Sequence, residues 1–486
     1  MLSENAYSRP VTLKNVLRFA VPTIVMTVFM SFYTMVDGLF VSNLIGTDAL
    51  SAVNLTAPII SLVTAISTML ATGGSAVIMR KVGEQKATEA NEDFTFLIVV
   101  NVIVGLVMSV LGYLVMDGIF GSMNLSPVVF DCHDYLSRYL IFTIPILLMN
   151  NFTLYMIAAG KSDLSMVCSI TGGVLNMVLD YVLIAVLDMG IAGAAIATGL
   201  GYSVTAVVGI VLFSKKNSLL HFVKPVCRRK TLWEAATNGS SEMATALVTG
   251  IVTMMFNWTM LKYVGENGVA AITIIMYVLM FATSLYTGYS YGVAPMISFY
   301  YGEQNHGKLK KLIRMSLKII SVIAAVTLIA SLVVTEPLVS VFARPDNPVY
   351  DLAVTGNRIC SFALIFIGFN VFASGMFTAL SNGLISAVLA FSRSFVFMVI
   401  AMLILPTLRR NRCVVCDTRC GVCGDLPISY YVWQIPKEIW ILTGTIIYDV
   451  DFWNCLDFRH ESAFMQGIFV RRVSAAVLDQ RQAAPI

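Results

Sequence analysis

The chain contains eleven apolar runs, each long enough to cross the hydrocarbon core of a bilayer, which takes about 20 helical residues. The runs cover residues 16–42, 52–79, 95–116, 136–158, 164–187, 191–213, 240–263, 269–299, 313–334, 358–380 and 384–406. Only 12% of the 486 residues are charged and 57% are hydrophobic, whereas a soluble domain is about 25% charged. A surface so poor in charge suits lipid. The sequence therefore predicts an all-α polytopic membrane protein.

The lysines and arginines lie in short clusters between the apolar runs and predict the orientation. They precede the first run and follow the second, fourth, sixth and eighth runs, and the longest cluster lies in residues 215–238. Because the side of a membrane protein that is richer in Lys and Arg faces the cytoplasm, we expect a cytoplasmic N-terminus and a basic cytoplasmic linker at 215–238. The net charge is only +4, which argues against a nucleic-acid partner.

An internal repeat lies on either side of this linker. Five identities are 219 residues apart, and the tripeptide GEQ recurs in the same register at residues 83–85 and 302–304. The five pairs are Gly46/Gly265, Ala52/Ala271, Thr64/Thr283, Thr68/Thr287 and Gly73/Gly292. The repeat predicts an N-lobe of six helices over residues 1–214 and a parallel C-lobe with five recognisable helices over 239–407. Parallel repeats are typical of transporters, with the site between or within the repeats.

Four polar residues fall inside the predicted N-lobe spans at similar depth. Asp37 lies about two turns before the outer loop that follows span one, Asp180 lies eight residues before the turn at 188–190, and Thr198 lies eight residues past Gly190. Asn176 shares a helix face with Asp180, one turn deeper. An acid inside a membrane costs about 2.5–3.5 kcal/mol on insertion scales and marks a functional site by default. These oxygens suit a hard cation such as Na⁺, or a carboxylate pair that takes up a proton.

The alternative for a single acid such as Asp37 is a charge at a helix end that faces lipid headgroups. Four side chains with oxygen atoms at similar depth are more simply explained by one shared site than by a separate role for each residue. The corresponding residues of the C-lobe are Phe256, Val396 and Ile400, which carry no acid. The predicted charge site therefore belongs to the N-lobe alone.

Five further polar residues are candidates for substrate binding or coupling: Tyr139, Glu242, Asn257, Asn370 and Arg393. Tyr139 is expected at the start of span four, as an interface aromatic or a cavity residue. Glu242 is expected in the first turn of span seven, where it either stabilises the helix N-terminus or takes part in coupling. Asn257 and Asn370 are expected either to line the cavity of the second half or to form hydrogen bonds between helices. Arg393, nine residues into span eleven, requires a partner.

Several stretches resemble the multidrug and toxic compound extrusion (MATE) family of efflux transporters. They are AVPTIVMTVFMSFYTMVDGLFVSNLIGTDALSAV, the two GEQ loops, GGVLNMVLDYVLI, MGIAGAAIATGLGY and NGSSEMATALVTGIVTMMFN, and the resemblance spans about residues 10–407. It implies a MATE-like two-lobe helical bundle of twelve helices around a central cavity, of which eleven are recognisable in this chain.

The resemblance also implies a function. The family exports cationic or amphiphilic compounds in exchange for Na⁺ or H⁺, and its N-lobe cation site falls on Asp37, Asn176, Asp180 and Thr198 of this sequence. We expect a monomer without cofactors in the bacterial cytoplasmic membrane, in contact with lipid and with small amphiphilic or cationic substrates.

Two other functions stay open. A lipid or oligosaccharide-lipid flippase would share the fold, although such proteins tend to line their cavity with basic residues and Arg393 stands nearly alone here. An intramembrane enzyme would need a nucleophile with a base, or a metal with His ligands. The four histidines, at positions 133, 221, 306 and 460, all lie in predicted loops or in the tail.

The resemblance ends at residues 405–408, and the tail beyond it carries a cysteine pattern. Cys413, Cys416, Cys420 and Cys423 form two CxxC pairs separated by three residues. Zinc ribbons separate such pairs by about 15–20 residues, and we expect no metal here. Codons exist for residues 408–442 that, read one base later, encode an apolar segment beginning FGVIGVWFAIPVAEF, then a basic end and a stop. We interpret residues 408–486 as a frame-shifted product that replaces the twelfth helix.

Overall fold

The computed structural model describes residues 7–392 apart from 8, 46, 122–126 and 217, and beyond them only residues 395 and 399. Within that part of the chain every regular element is helical. The helices are α1 (Leu13–Leu44), α2 (Thr47–Gly83), α3 (Ala87–Gly121), α4 (Pro127–Ile141), α5 (Thr143–Ala158), α6 (Ser162–Asp180), α7 (Gly190–Phe213), α8 (Arg229–Tyr263), α9 (Glu266–Gly302), α10 (His306–Phe342), α11 (Pro348–Ser361), α12 (Ala363–Ala379) and α13 (Gly383–Phe391). A π-helical segment, Tyr181–Val186, extends α6.

Ten of the predicted spans are formed by these helices. Eight helices, α1 to α3 and α6 to α10, are long and apolar enough to cross a membrane alone. Two further spans are bent pairs: α4 and α5 meet at 57°, and α11 and α12 meet at 50°. Helix α13 begins the eleventh apolar run, and most of the rest of that run lies outside the described residues. The prediction of an all-α polytopic membrane protein is confirmed.

The bends in spans four and ten lie at equivalent positions of the repeat. The helix is interrupted at Phe142 in span four and at Phe362 in span ten, 220 residues apart. Pro145 explains the first bend, because proline has no N–H and its ring clashes with the carbonyl four residues earlier. No proline stands near the second bend. The GEQ loops match as well, since Gln85 and Gln304 both adopt left-handed backbone, with φ of 64° and 55°.

Helices α1–α7, here called the N-half, meet helices α8–α13, the C-half, through reciprocal glycine contacts. A Cβ atom on Gly83 would lie 2.1 Å from the carbonyl oxygen of Phe299, and a Cβ on Gly302 would lie 2.0 Å from that of Arg80. The 219-residue offset of the repeat relates Gly83 to Gly302 and Arg80 to Phe299, so the two contacts are equivalent. Real Cβ atoms essentially never approach a heavy atom within 3.0 Å, so these crossings of α2 and α9 require glycine.

Glycines also hold α2 against α8 and α1 against α9. A Cβ on Gly73 would lie 1.9 Å from the carbonyl oxygen of Ala235, and a Cβ on Gly239 would lie 1.9 Å from a carbonyl oxygen of α2. Gly292 occupies the equivalent place on α9, where a Cβ would lie 2.8 Å from the Cα of Ala20. The two halves are therefore in backbone-to-backbone contact. These contacts lie toward the end of the bundle that carries the α2–α3, α5–α6, α7–α8 and α9–α10 connections, which we call the basic end.

The connection between α7 and α8 is folded against the first turns of α3. The backbone N–H groups of His221 and Val223 donate to Asn91 Oδ1 at 2.8 Å and to Thr95 Oγ1 at 3.1 Å. The ring of Phe222, between them, joins an aromatic cluster with α3, α5 and α7. Side-chain acceptors that pair with backbone N–H groups fix a loop in place. The predicted linker is thus attached to the N-half for much of its length.

A buried ion network fixes the last part of this connection. The carboxylate of Asp93 has no exposed surface and accepts hydrogen bonds from Arg228 Nη1 at 2.9 Å and from Lys81 Nζ. Removing one partner of such a pair would leave a buried charge without compensation. Arg80 Nη2 also pairs with Glu234 at 2.6 Å, which ties α2 to the start of α8. The first turns of α8 are therefore held by the N-half.

Tyr7 bridges the two halves at the basic end. Its hydroxyl donates to the carbonyl oxygen of Ala158 at 2.7 Å, and its own carbonyl accepts from the Tyr300 hydroxyl at 3.1 Å. The ring is fully buried and stacks on Phe299 with centroids 5.2 Å apart. Ala158 ends α5 in the N-half, whereas Tyr300 and Phe299 lie on α9. Tyr7, which precedes α1 in the chain, therefore contacts both halves.

Tyr7→Phe is expected to loosen the basic end, because it keeps the ring and removes the hydroxyl that reaches Ala158. Losing this hydrogen bond costs about 1 kcal/mol, so we expect roughly fivefold faster maleimide labelling of a cysteine at Ser75, which lines a cavity between the halves. The matched control is Tyr113→Phe, which removes a hydroxyl that donates to Ser137 O within the N-half. Equal labelling in the two variants would contradict the bridging role.

Candidate cation site

Gly172 and Gly201 set the distance between α6 and α7. A Cβ on Gly172 would lie 2.6 Å from the carbonyl oxygen of Gly201, and a Cβ on Gly201 would lie 2.7 Å from that of Gly172. Larger residues would force the two backbones apart. One turn further along α6, Asn176 Nδ2 donates to Thr198 Oγ1 of α7 at 3.3 Å, and both side chains are buried. The glycine pair therefore brings two of the four predicted site residues together.

Gly173 brings α1 to the same place. A Cβ on Gly173 would lie 2.7 Å from the ring of Phe29 and 3.7 Å from the ring of Tyr33. This contact places Asp37, one turn beyond Tyr33, next to Asp180, close enough for the two carboxyl groups to influence each other. Asp180 is fully buried and Asp37 is half-buried. Helices α1, α6 and α7 thus assemble all four predicted residues.

We call Asp37, Asn176, Asp180 and Thr198 the acid cluster. Four of its oxygen atoms are buried and have no hydrogen-bond partner among the described residues: Asp37 Oδ1, Asn176 Oδ1 and both carboxylate oxygens of Asp180. Buried acceptors without donors are costly. Oxygen atoms of this kind are the ligands of hard cations. The acid cluster can therefore take up a proton between its carboxyl groups or hold a small cation.

The helix that carries Asp180 changes its geometry directly after this residue. The N–H of Leu187 bonds to the carbonyl of Val182, five residues earlier, at 2.9 Å. Asp188 and Gly190 then adopt left-handed backbone, with φ of 50° and 55°. π-helical segments are rare and frequently occur at functional sites. This segment was not predicted, because nothing in the apolar run YVLIAV marks it.

Three tyrosines lie next to the acid cluster, namely Tyr33, Tyr135 and Tyr202, and a fourth, Tyr139, lies beside Tyr135 and Tyr202. The rings of Tyr135 and Tyr139 stack with centroids 6.2 Å apart, and the side chains of Tyr33 and Tyr202 lie close to each other. Such rings exclude water while their hydroxyls stay available to a buried polar site. Of the four, only Tyr139 was predicted from the sequence as a candidate. The signal for the other three is spacing, because Tyr33, Tyr135 and Tyr202 each lie four residues from a predicted site residue.

Two predicted placements are wrong. Helix α4 begins at Pro127, so Tyr139 lies in its fourth turn and is buried, rather than standing at the start of span four. Helix α8 begins at Arg229, so Glu242 also lies in a fourth turn. The effect of a helix dipole is confined to the first turn, and Glu242 does not stabilise a helix N-terminus. In both cases polar residues ahead of the apolar run continue the helix.

Glu242 instead lines a cavity between the two halves. The cavity has a volume of about 30 Å³ and is lined by polar residues of both halves, among them Thr72 and Ser75 of α2, Ser298 of α9 and Thr378 of α12. This volume is about that of one water molecule. The halves are therefore closed against each other at this point.

The remaining candidates do not join the acid cluster. Asn257 lines an open pocket of about 570 Å³ between α8 and α9, away from the basic end, together with apolar side chains and the carboxylate of Glu266. Asn370 is half-buried in α12. Arg393 lies outside the described residues, and so do Cys413, Cys416, Cys420 and Cys423.

The described residues offer no metal centre. No group of three or more His, Cys, Asp or Glu in this part of the chain could hold a metal ion. His133 lies within α4 rather than in the predicted loop, His221 lies in the connection before α8, and His306 begins α10. The three described histidines therefore belong to three separate elements.

Sequence comparison identifies related proteins. The family described as MatE matches residues 22–182 and 243–403, one match in each half. A multidrug export protein MepA of Staphylococcus haemolyticus (strain JCSC1435) is 24% identical over 388 residues, which are 79% of this chain and 85% of that protein. A multidrug export protein MepA of Staphylococcus aureus (strain MRSA252) is 21% identical over 375 residues, covering 76% of this chain and 82% of that protein.

Solved structures share the fold. The outward-facing conformation of a multidrug resistance MATE family transporter of the MOP superfamily matches with a TM-score of 0.82 at 21% identity, over 94% of this chain and 99% of that chain. A MOP superfamily transporter from Pyrococcus furiosus, described as having a binding pocket of reverse polarity, matches with a TM-score of 0.76 at 22% identity, over 83% and 92% of the two chains.

Proposed function

Because the chain belongs to the MatE family, whose members are transporters and not enzymes, we propose that it exports cationic or amphiphilic compounds in exchange for Na⁺ or H⁺. Drugs and other xenobiotics are the substrates we expect. The names of its relatives, multidrug export proteins MepA, support this substrate class. The exporter works as a monomer and needs no cofactor other than its coupling ion.

The proposal that transport is coupled to a cation rests on the acid cluster, in which four buried oxygen atoms have no hydrogen-bond donor among the described residues. Two buried carboxylates cannot both stay ionised without compensation, because like charges and loss of hydration both disfavour that state. A proton or a Na⁺ ion supplies the compensation. The cluster joins α1, α6 and α7, so its occupancy favours one packing of these helices over another. A ligand shifts such an equilibrium by the difference between its affinities for the two states.

The exported compound acts on the same equilibrium from the space between the halves. A compound that binds best to the cation-free arrangement competes with the cation without touching the acid cluster. Glu242, Asn257 and Asn370 are the candidates to meet it, and Tyr139 contributes from the wall of the acid cluster. In the present structure the cavity at Glu242 is too small for a drug-sized molecule. The two halves must therefore separate before the exported compound can bind there or leave.

The orientation follows from charge. We place the basic end in the cytoplasm and the protein in the bacterial cytoplasmic membrane, with the N-terminus inside. The excess of Lys and Arg at the basic end supports this orientation, and the staphylococcal origin of the relatives supports the membrane. A structure closed at the basic end then has its substrate path closed toward the cytoplasm.

Dye efflux under imposed ion gradients tests the proposal. Purified protein in liposomes that contain ethidium receives a Na⁺ gradient, a proton gradient or neither. We expect one of the two gradients to drive ethidium against its own gradient, and that gradient identifies the coupling ion. An anionic dye of similar size serves as the substrate control. If neither gradient moved ethidium, the antiporter proposal would be wrong.

Residues 408–486 lie outside the described structure, and we propose that they are a frame-shifted product without a functional role. The end of the second MatE match at residue 403 supports this interpretation. The cysteines at 413, 416, 420 and 423 then bind no metal. Sequencing codons 400–445 in all three frames checks for the apolar segment and the stop. Efflux is measured both on the 486-residue chain and on a chain with the neighbouring frame restored.

A further inference from the structure

The basic end carries two kinds of cation. Lys81, Arg80 and Arg228 are paired with acids of α3 and α8 and with Glu84, which follows α2. In a second group the side chains form no hydrogen bond or ion pair with any other described residue: Lys161, Lys215, Lys216, Lys224 and Arg229. All of this group except the half-buried Lys161 are exposed. The acids of this region pair with other cations, apart from the exposed Asp163, so no ion pair neutralises the charge of the second group.

Two of these unpaired lysines lie close together. Lys161 is in the turn between α5 and α6, and Lys215 follows the end of α7. The pKa of the Lys161 ammonium is lowered, first by its burial and then by the charge of Lys215. Two ammonium groups without an acid between them repel each other. An anion bound between them would remove that repulsion.

The chain around the other lysines is held in place. Leu220 is fully buried, and the hydrogen bonds of His221 and Val223 to α3 fix the residues directly ahead of Lys224. Arg228, next to Arg229, is anchored on Asp93. The unpaired cations are therefore presented by a fixed surface rather than by a free loop. A surface that is already ordered loses little conformational entropy when a ligand binds.

An exposed tryptophan adjoins this surface. Trp233 lies one turn after Arg229 in α8, and 72% of its surface is exposed. Tryptophan is enriched where a membrane protein passes the headgroup region, because its ring is apolar and its N–H is polar. A tryptophan next to unpaired cations favours a ligand with an anionic head and an apolar body.

We propose that this surface binds the phosphodiester headgroup of an anionic phospholipid such as phosphatidylglycerol. The surface, called the lysine surface below, consists of Lys161, Lys215, Lys216, Lys224, Arg229 and Trp233. The cations contact the phosphodiester, and Trp233 contacts the boundary between the headgroup and the acyl chains. The inference does not depend on the transported substrate, on the coupling ion or on which side of the membrane the basic end faces.

Binding of a fluorescent short-chain phosphatidylglycerol to the full-length protein in detergent tests the inference. The triple variant Lys215→Gln/Lys216→Gln/Lys224→Gln is expected to weaken this binding by at least about tenfold, because each basic residue near an anionic lipid surface adds to the affinity. A phosphatidylcholine of equal chain length, which has no net charge, is expected to bind the parent protein weakly and the variant equally weakly.

The matched control removes the same charge elsewhere. Lys310, Lys311 and Lys318 are exposed lysines of α10 in the C-half, and their triple change to Gln is expected to alter phosphatidylglycerol binding by less than about twofold. A variant with Arg at 215, 216 and 224 keeps the charge and is expected to keep the parent affinity.

Each of the following outcomes would contradict phospholipid binding by the lysine surface. If the two triple Gln variants weakened phosphatidylglycerol binding equally, the lipid would be attracted by the net charge of the protein and not by a specific site. Equal binding of the two lipids by the parent protein would exclude headgroup recognition. Displacement of the lipid by inorganic phosphate at a similar concentration would assign the surface to a free anion. Loss of binding in the Arg variant would show that charge is not the cause.

Discussion

Asp37→Asn is expected to lower cation-driven dye efflux by roughly a hundredfold or more, because it removes one of the two charges of the acid cluster. A carboxylate about 4 Å from a monovalent cation contributes about 4 kcal/mol at an effective dielectric constant of about 20, and every 1.4 kcal/mol is about tenfold in binding. Asp180→Asn is expected to have the same effect. The double variant should be little worse than either single variant, because residues that act as one unit are not additive. The measurement is the initial rate of ethidium efflux in liposomes.

The stability of the variant separates loss of coupling from loss of folding. An asparagine at position 37 brings an N–H donor toward Asp180, whose oxygens have no partner, so the thermal midpoint should stay equal or rise. The matched control is Asp163→Asn, which makes the same chemical change at an exposed position of α6 and should leave efflux unchanged. Efflux that survived Asp37→Asn would remove this residue from the coupling site.

Gly239→Ala is expected to open the basic end, because the new Cβ would lie 1.9 Å from a carbonyl oxygen of α2. A backbone oxygen cannot rotate away as a side chain can, so α2 and α8 must separate. Overpacking of this kind costs about 1–3 kcal/mol, which predicts roughly fivefold to a hundredfold faster maleimide labelling of a cysteine at Ser75. Gly73→Ala, on the facing helix, should act in the same direction.

The matched control lies three turns away in the same helix. Gly250 of α8 has no heavy atom within 4 Å of the place where a Cβ would stand. Gly250→Ala should therefore leave the labelling rate at Ser75 unchanged and should stabilise the helix slightly. If Gly239→Ala labelled no faster than Gly250→Ala, the crossing would not hold the halves together. If it unfolded the protein, the thermal midpoint would fall and the crossing would be essential to the fold itself.

The spans and the acid cluster were predictable because their signals are local. An apolar run of about 20 residues must be a helix in a bilayer, since no other single segment satisfies its own backbone there. The depth of Asp37, Asp180 and Thr198 could be counted from the turns that end their spans. Asp180 and Asn176 are on one face of α6 by spacing alone. The structure then placed all four polar residues together, while their role as a cation site stays a prediction.

The starts of α4 and α8 were not predictable from the apolar runs. Hydrophobicity reports which residues lie in lipid, and a helix can continue into water for several turns. Tyr139 and Glu242 were therefore assigned to helix starts although both lie in a fourth turn. The bend at Phe362 has no proline to mark it, and the π-helical segment after Asp180 has no local signal either.

The sequence by itself determined the membrane environment, the helical class, the repeat and the depth of the acids, because each depends on the chemistry of neighbouring residues. Only the tertiary structure decided which surfaces meet. Gly73 and Gly172 look alike in the sequence, yet one packs against the C-half and the other positions Asn176 beside Thr198. The docking of the α7–α8 connection on Asp93 and the bridge made by Tyr7 were decided in the same way. These contacts join residues far apart in the chain, and their geometry depends on backbone distances that residue types alone do not specify.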